Sequence, residues 1–195
     1  MMSLEGQLGQ ALLRMAEVAS HPSLKDVLMR HREETQLQRR RLESMLQKHG
    51  ANPRAHTDQA MQALVNETEK MMAIVKGDDL RDAALIASAQ KVEHYEIAAY
   101  GTAAALAGQL DLRDDHRLLH ESLEEEKETD ATLTRLAKSE VNRDALAAQL
   151  ICLASWRMSK PHRADYLPPA SGPLLGSPPS VTCTASSMNP CEGVI

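Results

Sequence analysis

Phenylalanine is absent from this chain of 195 residues, which holds one tryptophan and three tyrosines. Sandwiched β-sheets draw on aromatic and β-branched residues, so this shortage argues against them and for closely packed helices of Leu, Ala, Met, Val and Ile. Cysteine is nearly as scarce. Cys152, Cys183 and Cys191 all lie near or within the C-terminal stretch, where they cannot staple the body of the chain. They also lack the spacing of a zinc site. A reducing, cytoplasmic location is therefore expected. No apolar run approaches the roughly 18 residues needed to span a bilayer, and the first ten residues have neither the basic flank nor the apolar run of a signal peptide. The net charge is −5 with no basic block, which excludes nucleic acid as an expected partner. Against these absences, 43% hydrophobic and 25% charged residues suffice for a globular core.

The chain changes character near residue 150. Up to that point it is rich in Ala, Leu, Glu, Gln and Arg, all good helix formers. The stretch 151–195 holds seven of the nine prolines, along with Ser and Gly, and has no sustained period. We read 1–150 as a helical bundle and 151–195 as a disordered tail, with order fading by about residue 157. Turn signals divide the bundle. Leu4, Leu8, Leu12, Met15 and Ala19 recur at helical spacing in a first helix over about 3–19. Ser20-His21-Pro22 ends it and opens a second helix to about His49, since proline is tolerated in a first helical turn. Gly50 and Pro53 stop that helix. A connecting helix over about 58–76 carries Met61, Leu64, Val65, Met72 and Val75 on one face. Asp78 or Asp79 caps a third long helix to about 107, and a fourth runs over about 112–138. A short helix from Asn142 to about Leu150 follows. Long helices of 25 to 29 residues span about 40 Å at 1.5 Å per residue. Three of these with a shorter first helix make an all-α four-helix bundle, and the connecting helix forms its long crossover.

The apolar stripes are interrupted by acids. Glu5 lies one turn before Leu8. His31, Glu34 and Gln38 fall between Leu28 and Leu42. Glu93 and Glu96 sit between Ala89 and Tyr100, and Glu126 and Asp130 break a leucine stripe on the fourth long helix. Spacings of three or four residues put each pair on one face. An unpartnered buried carboxylate costs several kcal/mol, so such groups protonate, pair with a base or bind a cation. A carboxylate-rich set with some histidine suits iron or manganese rather than structural zinc. Glu124, Glu125 and Glu128 read as a solvated run. His94 is offset from the Glu93/Glu96 face, and Tyr100 reads as a core residue with a bonded hydroxyl.

The segment RDAALIASAQKVEHYEIAAYGT (Arg81–Thr102), with HREET (His31–Thr35) before it and LEEEKETD (Leu123–Asp130) after it, closely resembles the YciE/YciF family of ferritin-like proteins. The resemblance extends from about Leu4 to Leu150. It implies a rubrerythrin-like fold, a homodimer, an association with stress, and an activity commonly described as ferroxidase. It also implies Glu5, Glu34, Glu93, Glu96 and Glu126 as metal ligands, with His31 and Asp130 as further candidates, around two iron ions or manganese. Gln38 stands where many relatives carry His, and Glu5 lies closer to the start of the chain than is usual. The function so implied is oxidation of iron by oxygen or peroxide. The alternative is a non-enzymatic dimeric helical protein, pairing through Ala98, Ala99, Ala103 and Ala105, with structural metal or none.

Overall fold

The computed structural model describes residues 1–51 and 56–159, with side chains through residue 151. It is helical throughout: α1 (Met2–Val18), α2 (Pro22–Lys48), α3 (Gln59–Ile74), α4 (Asp78–Gln109), α5 (Arg113–Leu136), a π-helical stretch (Ala137–Val141) and α6 (Asn142–Ser159). One compact unit covers Met1–Ala148. Within it α1 packs on α2 and α4 on α5, α2 joins the two hairpins by packing on α5, and α3 crosses over against α1 and α4. This is the ferritin-like four-helix bundle with a helical crossover, and its boundaries fall within a few residues of those read from the sequence.

Two features differ. The fourth long helix passes through the π-helical stretch before continuing as α6. α6 also runs past Leu150 to Ser159, because its Ala- and Leu-rich sequence meets no proline before Pro161. Residues 160–195, which hold most of the expected tail, lie outside the described residues. Among the described residues, no helix is long and apolar enough to cross a membrane.

Buried polar links hold the helices in register. Asp82 of α4, almost fully buried, accepts the backbone N–H groups of Ser20 at 2.9 Å and His21 at 2.7 Å. It thereby satisfies the start of α2, whose N-cap residue His21 makes no side-chain cap. Asp58 caps α3 through the N–H of Met61 at 2.9 Å, and its carboxylate also accepts the hydroxyl of Tyr95 in α4 at 3.0 Å. Asp115 of α5 takes Lys48 at 3.1 Å and His49 at 2.5 Å, tying the end of α2 to the start of α5.

The apolar interior comes in two clusters. One includes Leu8, Leu12, Leu24, Leu28, Leu85, Ile86, Val92 and Leu133, and the other includes Leu42, Met45, Tyr100, Ala104 and Leu123. On α2 the sequence passes from Leu28 to Leu42 through buried His31, Thr35 and Gln38. On α4 it passes from Val92 to Tyr100 through buried Glu93 and Glu96. On α5 it passes from Leu123 to Leu133 through buried Glu126 and Thr129. Three helices thus contribute to one polar layer between two apolar ones.

Candidate metal centre

The polar layer gathers His31, Glu93, Glu96 and Glu126, one ligand atom from each lying within 4.8 Å of all the others. Helical spacing explains the gathering. Glu93 and Glu96 are three apart on α4 and share a face, and His31 and Glu126 project from the inward stripes of α2 and α5. The three glutamates are 0% exposed and His31 is 1%. His31 Nε2 stands 3.2 Å from Glu93 Oε1, 3.5 Å from Glu126 Oε2 and 3.9 Å from Glu96 Oε2. These are ion-pair separations, yet none is aligned as a hydrogen bond. Nε2, both oxygens of Glu93, both of Glu96 and Oε2 of Glu126 are buried without a hydrogen-bond partner.

Glu5 belongs to the same layer. It is 1% exposed, its carboxylate accepts the hydroxyl of Tyr100, and its Oε2 is buried and unpartnered. Tyr100 is thus a core residue with a bonded hydroxyl, as its position on α4 implied.

The proton affinities follow from this crowding. Burial, only partly offset by Tyr100, pushes Glu5 up to about 7. Burial and the charge of Glu126 push Glu96 well above the ordinary carboxylate range, and burial raises Glu126 too, against the opposing charge of His31. Burial alone would lower His31, but Glu93, Glu34 and Glu126 outweigh it and hold its affinity well above normal. Without a cation, this layer keeps protons that the same groups would release in water.

The structure does not bring Glu34 and Asp130 into this group. Glu34 is half-buried, with Oε2 at 3.5 Å from His31 Nδ1 and at 3.5 Å from Thr129 Oγ1. It sits behind the imidazole, where it can hold the proton on Nδ1 and leave Nε2 to face the carboxylates. Asp130 turns toward Gln90 at 2.9 Å and toward exposed His94 at 3.4 Å. One residue beyond a core position, it has rotated some 100° off the inward face. Glu124 and Glu128 are exposed, but Glu125 is half-buried and paired with Arg41. No local pattern signals that pairing, because Arg41 lies on another helix.

An oxygen-rich set with one imidazole, and several buried oxygens lacking any donor, fits a hard or borderline divalent cation such as iron or manganese. A zinc structural site would use Cys and His instead.

Known proteins share this arrangement of sequence and fold. Residues 1–146 match the family described as a domain of unknown function, DUF892. The chain is also 43% identical over 144 residues to the protein YciF of Escherichia coli strain K12, spanning 73% of this chain and 87% of that protein. The chain belongs to the YciF family. The crystal structure of the E. coli stress protein YciF aligns with a TM-score of 0.69, covering 72% of this chain and 89% of that one. A second structure, YcfI of Rhodopseudomonas palustris, provisionally described as a structural protein, aligns with a TM-score of 0.66 at 38% identity. It covers 68% of this chain and 85% of that one.

Proposed function

We propose that this YciF-family chain binds two iron ions in its polar layer and oxidises Fe(II) with oxygen or peroxide, manganese being the alternative metal. The observation that carries this reading is the set of buried, unpartnered oxygens on Glu93, Glu96 and Glu126 around His31 Nε2, with a further such oxygen on Glu5. Each unmade hydrogen bond to a buried polar group costs about 1–3 kcal/mol, and more for a charged one. A bundle that keeps several of them in one place is built for a ligand that supplies positive charge.

In this reading His31 and the carboxylates of Glu93, Glu96 and Glu126, with Glu5 beside them, would hold the iron ions. Iron supplies the one-electron chemistry when bound. The protein supplies fixed ligand positions, exclusion of water and a proton inventory. Glu96, Glu126 and His31 would release protons on metal binding, because ligand atoms must be deprotonated and a cation's charge would offset the burial that raises the two carboxyl groups. Tyr100 keeps one oxygen of Glu5 occupied and leaves the other open. Of the four alanines expected to pair in a homodimer, Ala98 and Ala105 lie open on α4, whereas Ala99 and Ala103 are half-buried against the core; light scattering tests the homodimer that the family resemblance implies.

A second reading has its own support. His31 carries one positive charge amid carboxylates of raised proton affinity, so the metal-free layer neutralises itself in part. A helical protein with structural metal or none would need no more. Fe(II) titration under oxygen separates the two. Stoichiometric oxygen consumption with growth of ferric absorbance supports the oxidase reading, and its absence supports the other.

A further inference from the structure

The contacts that end on Glu126 begin at the protein surface. Arg41 of α2 grips Glu125 of α5 with two nitrogens, Nη1 to Oε2 at 2.6 Å and Nη2 to Oε1 at 2.9 Å. It also reaches Ser122 Oγ at 3.2 Å and Glu121 Oε1 at 2.7 Å. Gln38 lies almost one turn earlier on α2 and is fully buried. Its Nε2 donates to Glu125 Oε2 at 3.1 Å and to Glu126 Oε1. An amide nitrogen has two hydrogens, and here both go to carboxylates. This orientation gives Glu125 Oε2, which Arg41 also holds, a second donor. It also leaves Oε1 buried with no donor.

This arrangement does not serve packing. An apolar side chain of similar length would fill the space and leave no amide oxygen unpaired. Its distinctive effect falls on Glu126. Both oxygens of Glu93 and of Glu96 lack hydrogen-bond partners, whereas Glu126 has Oε1 occupied by Gln38 and Oε2 open, 3.5 Å from His31 Nε2.

We propose that Gln38 is a positioning residue for the metal centre: it holds Glu126 through Oε1 so that Oε2 alone faces the ion, and the Arg41–Glu125 pair anchors Gln38 from the surface. This rests on the metal-binding reading above. Partners that orient a ligand from behind are worth about 10- to 100-fold in metal affinity.

The test is anaerobic titration of the full chain with Co(II), read by visible absorption, for wild type, Gln38→Met, Glu125→Gln and Glu124→Gln. Gln38→Met is expected to bind Co(II) about 10- to 100-fold more weakly and with altered band positions and intensity. Glu125→Gln keeps its shape but weakens the anchor, so it should show the same spectral change in smaller degree. Glu124→Gln, on the exposed neighbour, should match wild type. A merely structural Gln38 would alter stability and leave the spectrum alone, so wild-type affinity and spectrum in Gln38→Met overturn the proposal. If Gln38→Met loses its helical circular dichroism, Glu125→Gln decides, and a wild-type spectrum there overturns it. Absence of Co(II) binding by wild type is a separate result, which removes the metal-binding reading itself.

Discussion

His31 Nε2 and Glu93 Oε1 stand 3.2 Å apart, with both side chains closed off from solvent. Glu93 has no hydrogen bond on either oxygen, so its carboxylate is desolvated and poorly compensated in the metal-free protein. Glu93→Gln should therefore leave metal-free stability unchanged or raise it, while removing a ligand. His31 retains the carboxyl groups of Glu126 at 3.5 Å and Glu96 at 3.9 Å as neighbours. Chemical denaturation of the apo protein checks this, with exposed Glu124→Ala expected within about 0.5 kcal/mol of wild type. A loss of several kcal/mol for Glu93→Gln would mean that Glu93 stabilises the fold as one half of a buried ion pair.

The apo protein should lose stability as pH rises from about 4.5 to about 7. Glu5 has a folded value of about 7 against 4.5 when exposed, so the folded state binds more protons between those limits. Its contribution is full below 4.5 and is lost as pH rises to about 7, on the order of 3 kcal/mol across that window. His31, also raised, acts with the same sign above its ordinary value. Urea midpoints at pH 5 and pH 8 for wild type and Glu5→Gln measure the effect. The wild type should fall more steeply than the variant, and parallel profiles would contradict the burial of Glu5.

Asp82→Ala should cost about 1–2 kcal/mol, as the loss of a helix N-cap does. The carboxylate satisfies two backbone N–H groups at the α1–α2 turn, remote from the polar layer on α4. Stability should drop while Co(II) affinity stays at the wild-type level. A drop in both would mean that the turn sets the position of His31.

Glu34→Gln separates two roles for Glu34. Behind the imidazole, 3.5 Å from Nδ1, it orients His31, and its loss should weaken metal binding less than Glu93→Gln does. Equal losses, measured by Co(II) titration, would make Glu34 a direct ligand.

Helix positions are legible in the sequence because apolar residues recur at helical spacing and because Pro22, Gly50 and Gly77 mark the breaks. The same period exposes Glu5, Glu93, Glu96 and Glu126, since a carboxylate on an apolar stripe has to be protonated, paired or bound to a cation. Periodicity fails where rotation decides. Glu34 lies three residues from His31 and shares its general face, yet the inward line of α2 runs His31, Thr35, Gln38 and leaves Glu34 at the seam. Asp130 departs from Glu126 in the same manner. The links Arg41–Glu125–Gln38 and Asp82–Ser20 join residues far apart in sequence and carry no local signal. The continuation of α6 is hidden by the shift toward proline and serine further on, although the breakers begin only at Pro161.

Whether the buried carboxylates act on iron is tested most directly by adding two equivalents of anaerobic Fe(II) per chain, followed by oxygen, to wild type, Glu93→Gln, Glu126→Gln and Glu124→Ala. Rapid ferric absorbance and oxygen uptake are expected for wild type and Glu124→Ala, with rates no faster than iron in buffer for the other two. Wild-type rates in all four proteins, or no acceleration in any, would contradict a role for these carboxylates in iron oxidation.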